Sequence, residues 1–376
     1  MDIGQKNNIL IVAGGTGGHI FPALALADCL RRLGMRPIFI TDRRGLGFLP
    51  QSPVIPVYSL SAGSFGSKNL ISIVSTGYKL VWGLIESRIL ISRLAPVAVI
   101  GFGGYASVAT VLVASQMKIP TIIHEANTVM GRANRFLAAR VSVIATSSPE
   151  TKRLPICHKN KVVYTGVPVR EHISAITELA VKRLGPKSRI RLLVTGGSQG
   201  SRTFSAVVPR ALAKLPFELR HRLFVVHQCR HSEENAVKLV YETAKIEAKV
   251  EPFIENMVEA LEGSHLVVCR AGASTLAELA VAGRPAVIIP YPYATDDHQT
   301  ANAQALLDSG AGWMVHEKDL DVNKLKICLF KLLSDVDYLV DAGGKARALS
   351  RPEANHLLAR LTCDLIAKSG SLQEAI

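Results

Sequence analysis

No two cysteines in this sequence stand at metal-ligand or redox spacing. The six (Cys29, Cys157, Cys229, Cys269, Cys328 and Cys363) are scattered, and no C-x-x-C pair occurs. Zinc and iron–sulfur ligation are therefore not expected, and a reducing compartment is the simpler setting. Low-complexity tracts are missing, and a composition 48% hydrophobic and 20% charged is that of a folded protein. The N-terminus lacks the basic, apolar, small-residue order of a secretory leader, so none is expected. Long hydrophobic runs are also scarce. Leu94 to Met117 is uncharged and long enough to span a bilayer, but Pro96 and Gly101-Phe102-Gly103-Gly104 split it into strand, loop and helix. Acidic residues are few, 30 against 44 basic, for a net charge of +14. That excess asks for an anionic partner, whether phosphate, nucleic acid or membrane surface, without choosing among them.

A chain of 376 residues exceeds one ordinary core, so two domains are expected. Short β-branched runs alternate with helix-period segments, the pattern of parallel sheets built from βαβ units. Ile9 to Ala13 reads as a strand. It runs into Gly14-Gly15-Thr16-Gly17-Gly18-His19 and then a helix through Ala23, Leu26, Ala27 and Leu30. Pro37 to Ile40, Val97 to Ile100 and Thr121 to Ile123 supply further strands. The cycle restarts at Arg191 to Thr195, followed by Gly196-Gly197-Ser198-Gln199-Gly200 and a helix through Phe204, Val207, Val208 and Leu212. Leu223 to His227, Leu266 to Cys269 and Ala286 to Ile289 continue it. The recurrence predicts an α/β protein with two Rossmann-like domains facing across a cleft. Gly and Pro at Thr165 to Arg170 and at Gly343-Gly344 divide the chain into 1–165, 166–345 and a last segment 346–376. The last carries a helix over Pro352 to Lys368, expected to return to the first domain.

Several loops carry residues suited to chemistry. A strand ending in glycines lets backbone amides approach an anion, and the following helix start adds a partial positive charge. The first loop lacks the third glycine of G-x-G-x-x-G, where Ile20 stands, although Asp42 after the second strand suits a ribose, so a dinucleotide site stays open. At a helix start the dipole disfavours the imidazolium of His19 and leaves a proton acceptor; a histidine capping local backbone is the plainer reading. Glu125 and Asn127 close the strand Thr121 to Ile123, where they can meet sugar hydroxyls or serve as that strand end's own caps. Arg270 to Thr275 leads from a strand into the helix of Leu276 to Ala280; its amides and hydroxyls suit a diphosphate, and Glu278 a ribose diol. Asp296 to Asn302 is a dense polar loop before another helix. Asp319 to Asp321 and Asp335 to Asp337 are D-x-D strings in helix-like settings, and no metal site is assigned to them. Finally, Leu70 to Leu94 is apolar on too many sides for an ordinary surface helix, including Trp82 and Ile85. It is flanked or interrupted by Lys68, Lys79, Arg88 and Arg93, which suits anionic headgroups, while core packing explains the apolar residues equally well.

Taken in order, six segments resemble the bacterial MurG transferases of peptidoglycan synthesis. They are Gly14 to His19, Gly101-Phe102-Gly103-Gly104-Tyr105, His124 to Asn127, Gly196 to Gly200, Arg270 to Glu278 and Asp296 to Thr300. The resemblance covers nearly the whole chain. It implies the GT-B glycosyltransferase fold and an inverting transfer of N-acetylglucosamine from UDP-N-acetylglucosamine, with no cofactor. The acceptor it implies is the muramyl 4-hydroxyl of undecaprenyl-diphosphate-linked muramyl-pentapeptide (lipid I), and the product lipid II. By matching position, Thr16, Gly17 and Gly18 form the glycine loop closing on the donor, with His19 the general base. Asn127 touches the donor sugar, and Arg170 and Ser198 its diphosphate side. Phe253 and Ile254 read the uracil, Ala273, Ser274, Thr275 and Glu278 hold diphosphate and ribose, and His298 and Gln299 the sugar hydroxyls. Gly103, Gly104, Tyr105 and Glu125 belong to the acceptor side. The resemblance also implies a peripheral place on the cytoplasmic face of the inner membrane, partners in cell-wall and division machinery, and no nucleic acid. Two departures stand out: Val167 replaces the usual asparagine before Pro168, and Cys229-Arg230 replaces a small residue and glycine. The rival readings are a UDP-N-acetylglucosamine epimerase of similar architecture and, behind it, a dinucleotide-dependent oxidoreductase. A non-catalytic nucleotide-binding protein leaves His19 and the 296–300 loop unexplained.

Overall fold

The structure, a computed structural model, describes residues 7–49, 52–60, 70–178, 188–197 and 200–373, with only the backbone for residues 70–80, 105 and 371–373. The chain forms two compact units, Met1–Arg170 with Glu353–Ile376, and Glu171–Pro352.

In the first unit the described strands are β1 (Asn8–Val12), β2 (Arg36–Thr41), β3 (Val57–Ser59), β4 (Ala98–Gly101), β5 (Thr121–Glu125), β6 (Val143–Thr146) and β7 (Val162–Tyr164). They make one parallel sheet in the order β3-β2-β1-β4-β5-β6-β7. Both faces of β1 are covered, which is why it reads as an unbroken apolar run. Ile9, Ile11 and Ala13 join one buried cluster with Ile20, Ala23, Leu26 and Leu30 of α1 (Gly17–Arg32) and Leu358 and Ala359 of the helix Ala354–Gln373. Leu10 and Val12 face the other cluster, with Ile91 of α3 (Leu70–Leu94) and Ala106, Val111 and Ala114 of α4 (Tyr105–Gln116). Between β2 and α3 lies the single-turn α2 (Arg43–Leu46), capped by Asp42.

The second unit repeats the scheme with β8 (Ile190–Thr195), β9 (Leu223–Gln228), β10 (Glu247–Glu251), β11 (Leu266–Cys269), β12 (Ala286–Ile288) and β13 (Gly312–Met314), ordered β10-β9-β8-β11-β12-β13 and all parallel. Its core gathers Ile190, Leu192, Val194, Phe204, Val225 and Leu329. Strand order reverses between β1 and β4 in one sheet and between β8 and β11 in the other. Ligands of such sheets bind outside the carboxyl ends of the strands at that reversal. The loops at the carboxyl ends of these strands, centred on the four that flank the reversals, are therefore where each unit's chemistry belongs.

The break expected at Gly343-Gly344 is not there. Both glycines lie inside the helix Val336–Ala348, and a Cβ on Gly343 would come 2.6 Å from the Gly283 carbonyl oxygen. Glycine there allows a close helix approach instead of a chain break. The D-x-D strings likewise have local jobs. Asp321 caps the helix Val322–Ser334 by accepting from the amides of Asn323 and Lys324, and Asp335 caps Val336–Ala348 through Tyr338.

Candidate active site

In the first unit the reversal brings the loop after β1 against the loop after β4. Gly14 donates its amide to the Gly103 oxygen at 3.2 Å, and Thr16 donates back to the Gly14 oxygen at 3.1 Å. Gly103 and Gly104 have φ of +105° and +81°, and a Cβ on Gly104 would stand 2.8 Å from the Gly14 oxygen. Only glycine fits so close an approach. Ser107 fixes this second loop: its hydroxyl lies 2.8 Å from the oxygens of Val12 and Gly103 and accepts from the Gly103 amide. Thr16 makes no side-chain cap on α1 and no acid stands in its first turn, so that turn's own side chains leave the positive end of the helix uncapped.

His19 sits half-buried in that first turn with Nδ1 3.0 Å from the Gly14 oxygen. A carbonyl only accepts, so Nδ1 carries the proton and Nε2 presents the lone pair. Nε2 lies beside Gly103, 2.9 Å from where a Cβ on that residue would be. The imidazole is thus held as a proton acceptor facing the glycine backbone.

At the end of β5 both oxygens of the buried Glu125 are engaged by its own loop. Oε1 accepts from the Asn127 amide (3.0 Å) and Nδ2 (3.1 Å), and Oε2 from the Gly131 amide (2.9 Å) and Asn134 Nδ2 (2.8 Å). Of the two readings of Glu125, these hydrogen bonds match the strand end that caps itself. Replacing Glu125 with alanine strands buried donors and is expected to lower stability by about 3 kcal/mol, read as the shift in denaturant midpoint; Glu125→Gln keeps one acceptor and should cost less. Preceding it, His124 is fully buried, donates through Nε2 to the Gly166 oxygen at 2.9 Å, and is held below the usual imidazole range by that burial. Arg170 closes the first unit with its guanidinium 4.9 Å from the Phe21 ring centre.

In the second unit the helix Ala273–Ala282 starts at the end of β11, again with no side-chain cap and no acid in its first turn. Ser274, Thr275 and Glu278 on it are half-buried. Arg270, whose side chain is 11% exposed, pins the surrounding loops. It donates to the oxygens of Ile289 and Pro290 and to Ser201 Oγ, pairs with Glu317 at 2.5 Å, and lies over the rings of Phe204 and Tyr291. Gln299 Oε1 accepts from the amides of Ala271 (3.2 Å) and Tyr291 (2.8 Å), which fixes the orientation of its amide group. His298 donates through Nδ1 to the Thr295 oxygen, leaving Nε2 as acceptor. Asp296 and Asp297, just before it, have φ of +55° and +50°, strain of the kind that clusters at ligand loops. Phe253 is 46% exposed beside the buried Ile254.

Ser198 and Lys68 lie outside the described residues, and of Tyr105 and Lys79 only the backbone is described. Of the two departures, Val167 is buried, and Cys229 is buried in the second core with its thiol pushed up to about 11, chiefly by burial. Arg230 stands exposed. Asp42, weighed above for a ribose, is buried and accepts from the amides of Gly15 and Gly45 instead. Sequence reasoning missed Ser107 and Asn134. Polar side chains inside a helix that bond back to loop backbone were the available signal.

The glycosyltransferase family 28 N-terminal domain matches residues 9–146, and the family's C-terminal domain matches residues 191–355. A protein of Paramagnetospirillum magneticum named UDP-N-acetylglucosamine–N-acetylmuramyl-(pentapeptide) pyrophosphoryl-undecaprenol N-acetylglucosamine transferase is 43% identical over 362 residues, covering 96% of this chain and 98% of that one. A protein of the same name from Caulobacter vibrioides is 40% identical, over 96% of this chain and 98% of its own. Among solved structures, Acinetobacter baumannii MurG matches with a TM-score of 0.74 and 30% identity, over 96% of this chain and 99% of that one. A UDP-N-acetylglucosamine 2-epimerase from Neisseria meningitidis matches at 0.63 with 12% identity, over 96% of this chain and 100% of its own, and shares the fold alone.

Proposed function

The chain belongs to glycosyltransferase family 28 and, within it, to the MurG transferases, and on that premise we infer that it moves N-acetylglucosamine from UDP-N-acetylglucosamine to lipid-linked muramyl-pentapeptide. It is a hexosyltransferase of the GT-B fold, and its product is lipid II. The observation that carries the mechanism is the imidazole of His19, whose Nδ1 is occupied by the Gly14 carbonyl and whose Nε2 is an acceptor at the strand reversal.

The muramyl 4-hydroxyl oxygen attacks the anomeric carbon from the face opposite UDP, and the configuration inverts. His19 Nε2 takes the hydroxyl proton as the new C–O bond forms. The bond to the diphosphate oxygen breaks, and UDP leaves with the electron pair. The uncapped start of the helix Ala273–Ala282, with the hydroxyls of Ser274 and Thr275, offers the charge stabilisation that the leaving diphosphate requires. Glu278 holds the ribose, Phe253 and Ile254 the base, and His298 and Gln299 the sugar hydroxyls. The test is UDP release with and without a lipid-linked muramyl acceptor. Release that depends on acceptor supports transfer; equal conversion of the donor without acceptor sinks it.

The same reading places the protein on the cytoplasmic face of the inner membrane. Among the described residues no helix is long and apolar enough to cross a membrane. α3 is two-sided. Gly83, Ser87 and Ile91 are buried, with Ser87 Oγ 3.2 Å from Thr110 Oγ1 of α4, while Val81, Trp82 (45% exposed), Ile85 and Ile89 (64%) face outward beside Arg88 and Arg93. An apolar stripe edged by arginine suits anionic lipid. Vesicles containing anionic lipid should bind the protein at low salt, less at 0.5 M salt, and weakly after Ile85→Glu. Equal sedimentation of both proteins with vesicles would remove the role.

A further inference from the structure

Asp42 does more than cap a short helix. Its Oδ1 accepts the Gly15 amide at 3.2 Å as well as the Gly45 amide at 2.8 Å, and its Oδ2 lies 3.3 Å from Arg44 Nη2. The carboxylate and its counter-charge clasp the first glycine loop from below. A Cβ on Gly14 would meet Asp42 Oδ2 at 3.4 Å, and one on Gly15 would meet Arg44 Nη2 at the same distance. Gly45 holds the acid in place, because a Cβ there would overlap Thr41 Oγ1 and come 2.8 Å from Ile20 Cδ1 of α1.

The Gly15 N–H and the Gly14 C=O belong to one peptide unit, which is planar, with the two groups pointing opposite ways. Asp42 grips one end of that plane, and His19 Nδ1 the other. We propose that Asp42 is a positioning residue for His19, acting through the Gly14–Gly15 peptide plane. Withdrawing the acid leaves the plane held only from the carbonyl side, by the Thr16 amide and His19 itself, so that it can tilt about bonds flanked by glycine and misdirect the acceptor that fixes the imidazole's tautomer and direction. A negative charge on the N–H also strengthens the carbonyl as an acceptor. The inference rests on His19 being the base.

The informative variant is Asp42→Ser, since serine caps a helix well but its side chain is too short to serve Gly45 and Gly15 together. With full-length protein, UDP-N-acetylglucosamine and a lipid-linked muramyl acceptor, its kcat should fall about 10- to 100-fold through misplacement of the base. The Kd for UDP should stay near the parent's, because uracil and ribose are assigned to Phe253, Ile254 and Glu278 of the other unit. Asp42→Asn, which keeps an acceptor oxygen in place, should recover most of the loss. In a His19→Ala background Asp42→Ser should have almost no further effect, because its route to the chemistry is gone. An undiminished kcat in Asp42→Ser, or an equal fold-loss with and without His19, overturns the proposal. Near-normal turnover in His19→Ala alone is a different failure: it removes the base assignment, and this inference with it.

Discussion

Replacing His19 with alanine is expected to lower kcat by about 10²- to 10⁴-fold, the range lost when a positioned general base is withdrawn. The expectation follows from the ring's surroundings. Its Nδ1 is committed to the Gly14 oxygen, so the only basic atom is Nε2, which lies against Gly103. Among the described residues, the imidazole of the neighbouring strand β5 is not placed to substitute: His124 is fully buried and donates its Nε2 proton to Gly166. UDP binding should be nearly untouched, because the uracil, ribose and diphosphate are assigned to Phe253, Ile254 and the helix Ala273–Ala282 of the other unit. The measurement pairs steady-state turnover with calorimetric titration of UDP. Turnover within a few-fold of the parent would reject the assignment, and a parallel loss of UDP affinity would show that the loop and not the base had been damaged.

The second large effect is expected at Glu278. A carboxylate that bridges a ribose diol makes two charge-assisted hydrogen bonds, each worth about 1.5–3 kcal/mol when the partner is left unpaired. Glu278→Ala should therefore weaken UDP by roughly 10²- to 10⁴-fold, with kcat at saturating donor much less affected. Glu278→Gln keeps an acceptor and should fall between. Glu278 is half-buried just beyond the uncapped first turn of its helix, so on the proposed assignment one element serves both ribose and diphosphate. Unchanged UDP affinity in the alanine variant would free Glu278 from the site.

Much of the scaffold was legible because parallel strands buried on both faces leave long apolar runs, as at Ile9 to Ala13, with glycines just after them. The carboxyl ends of β1, β4, β8 and β11 then follow from strand order, and four of the six segments singled out in the sequence lie there, while 124–127 and 296–300 follow β5 and β12. What periodicity does not encode is which partner a polar side chain takes. Asp42 has the spacing of a ribose acid, yet an acid after a second strand is equally an N-cap, and only the path of Gly15 decides. Glu125 is similar. Its donors come from Asn127, Gly131 and Asn134, whose approach depends on a loop without a repeating pattern. Gly343 was misread because a glycine that breaks a chain and one that admits a neighbouring backbone look alike in sequence.

The outward stripe of α3 also bears on how rates are to be expressed. On the proposed bilayer contact through Val81, Trp82, Ile85 and Ile89, the enzyme would meet its lipid acceptor in two dimensions, while its nucleotide-sugar donor arrives from three. Saturation by acceptor then depends on mole fraction within the lipid and not on amount per volume. Diluting the acceptor with inert phospholipid at constant bulk concentration should slow the reaction, whereas diluting the whole suspension should leave the acceptor term unchanged so long as the enzyme stays on the surface.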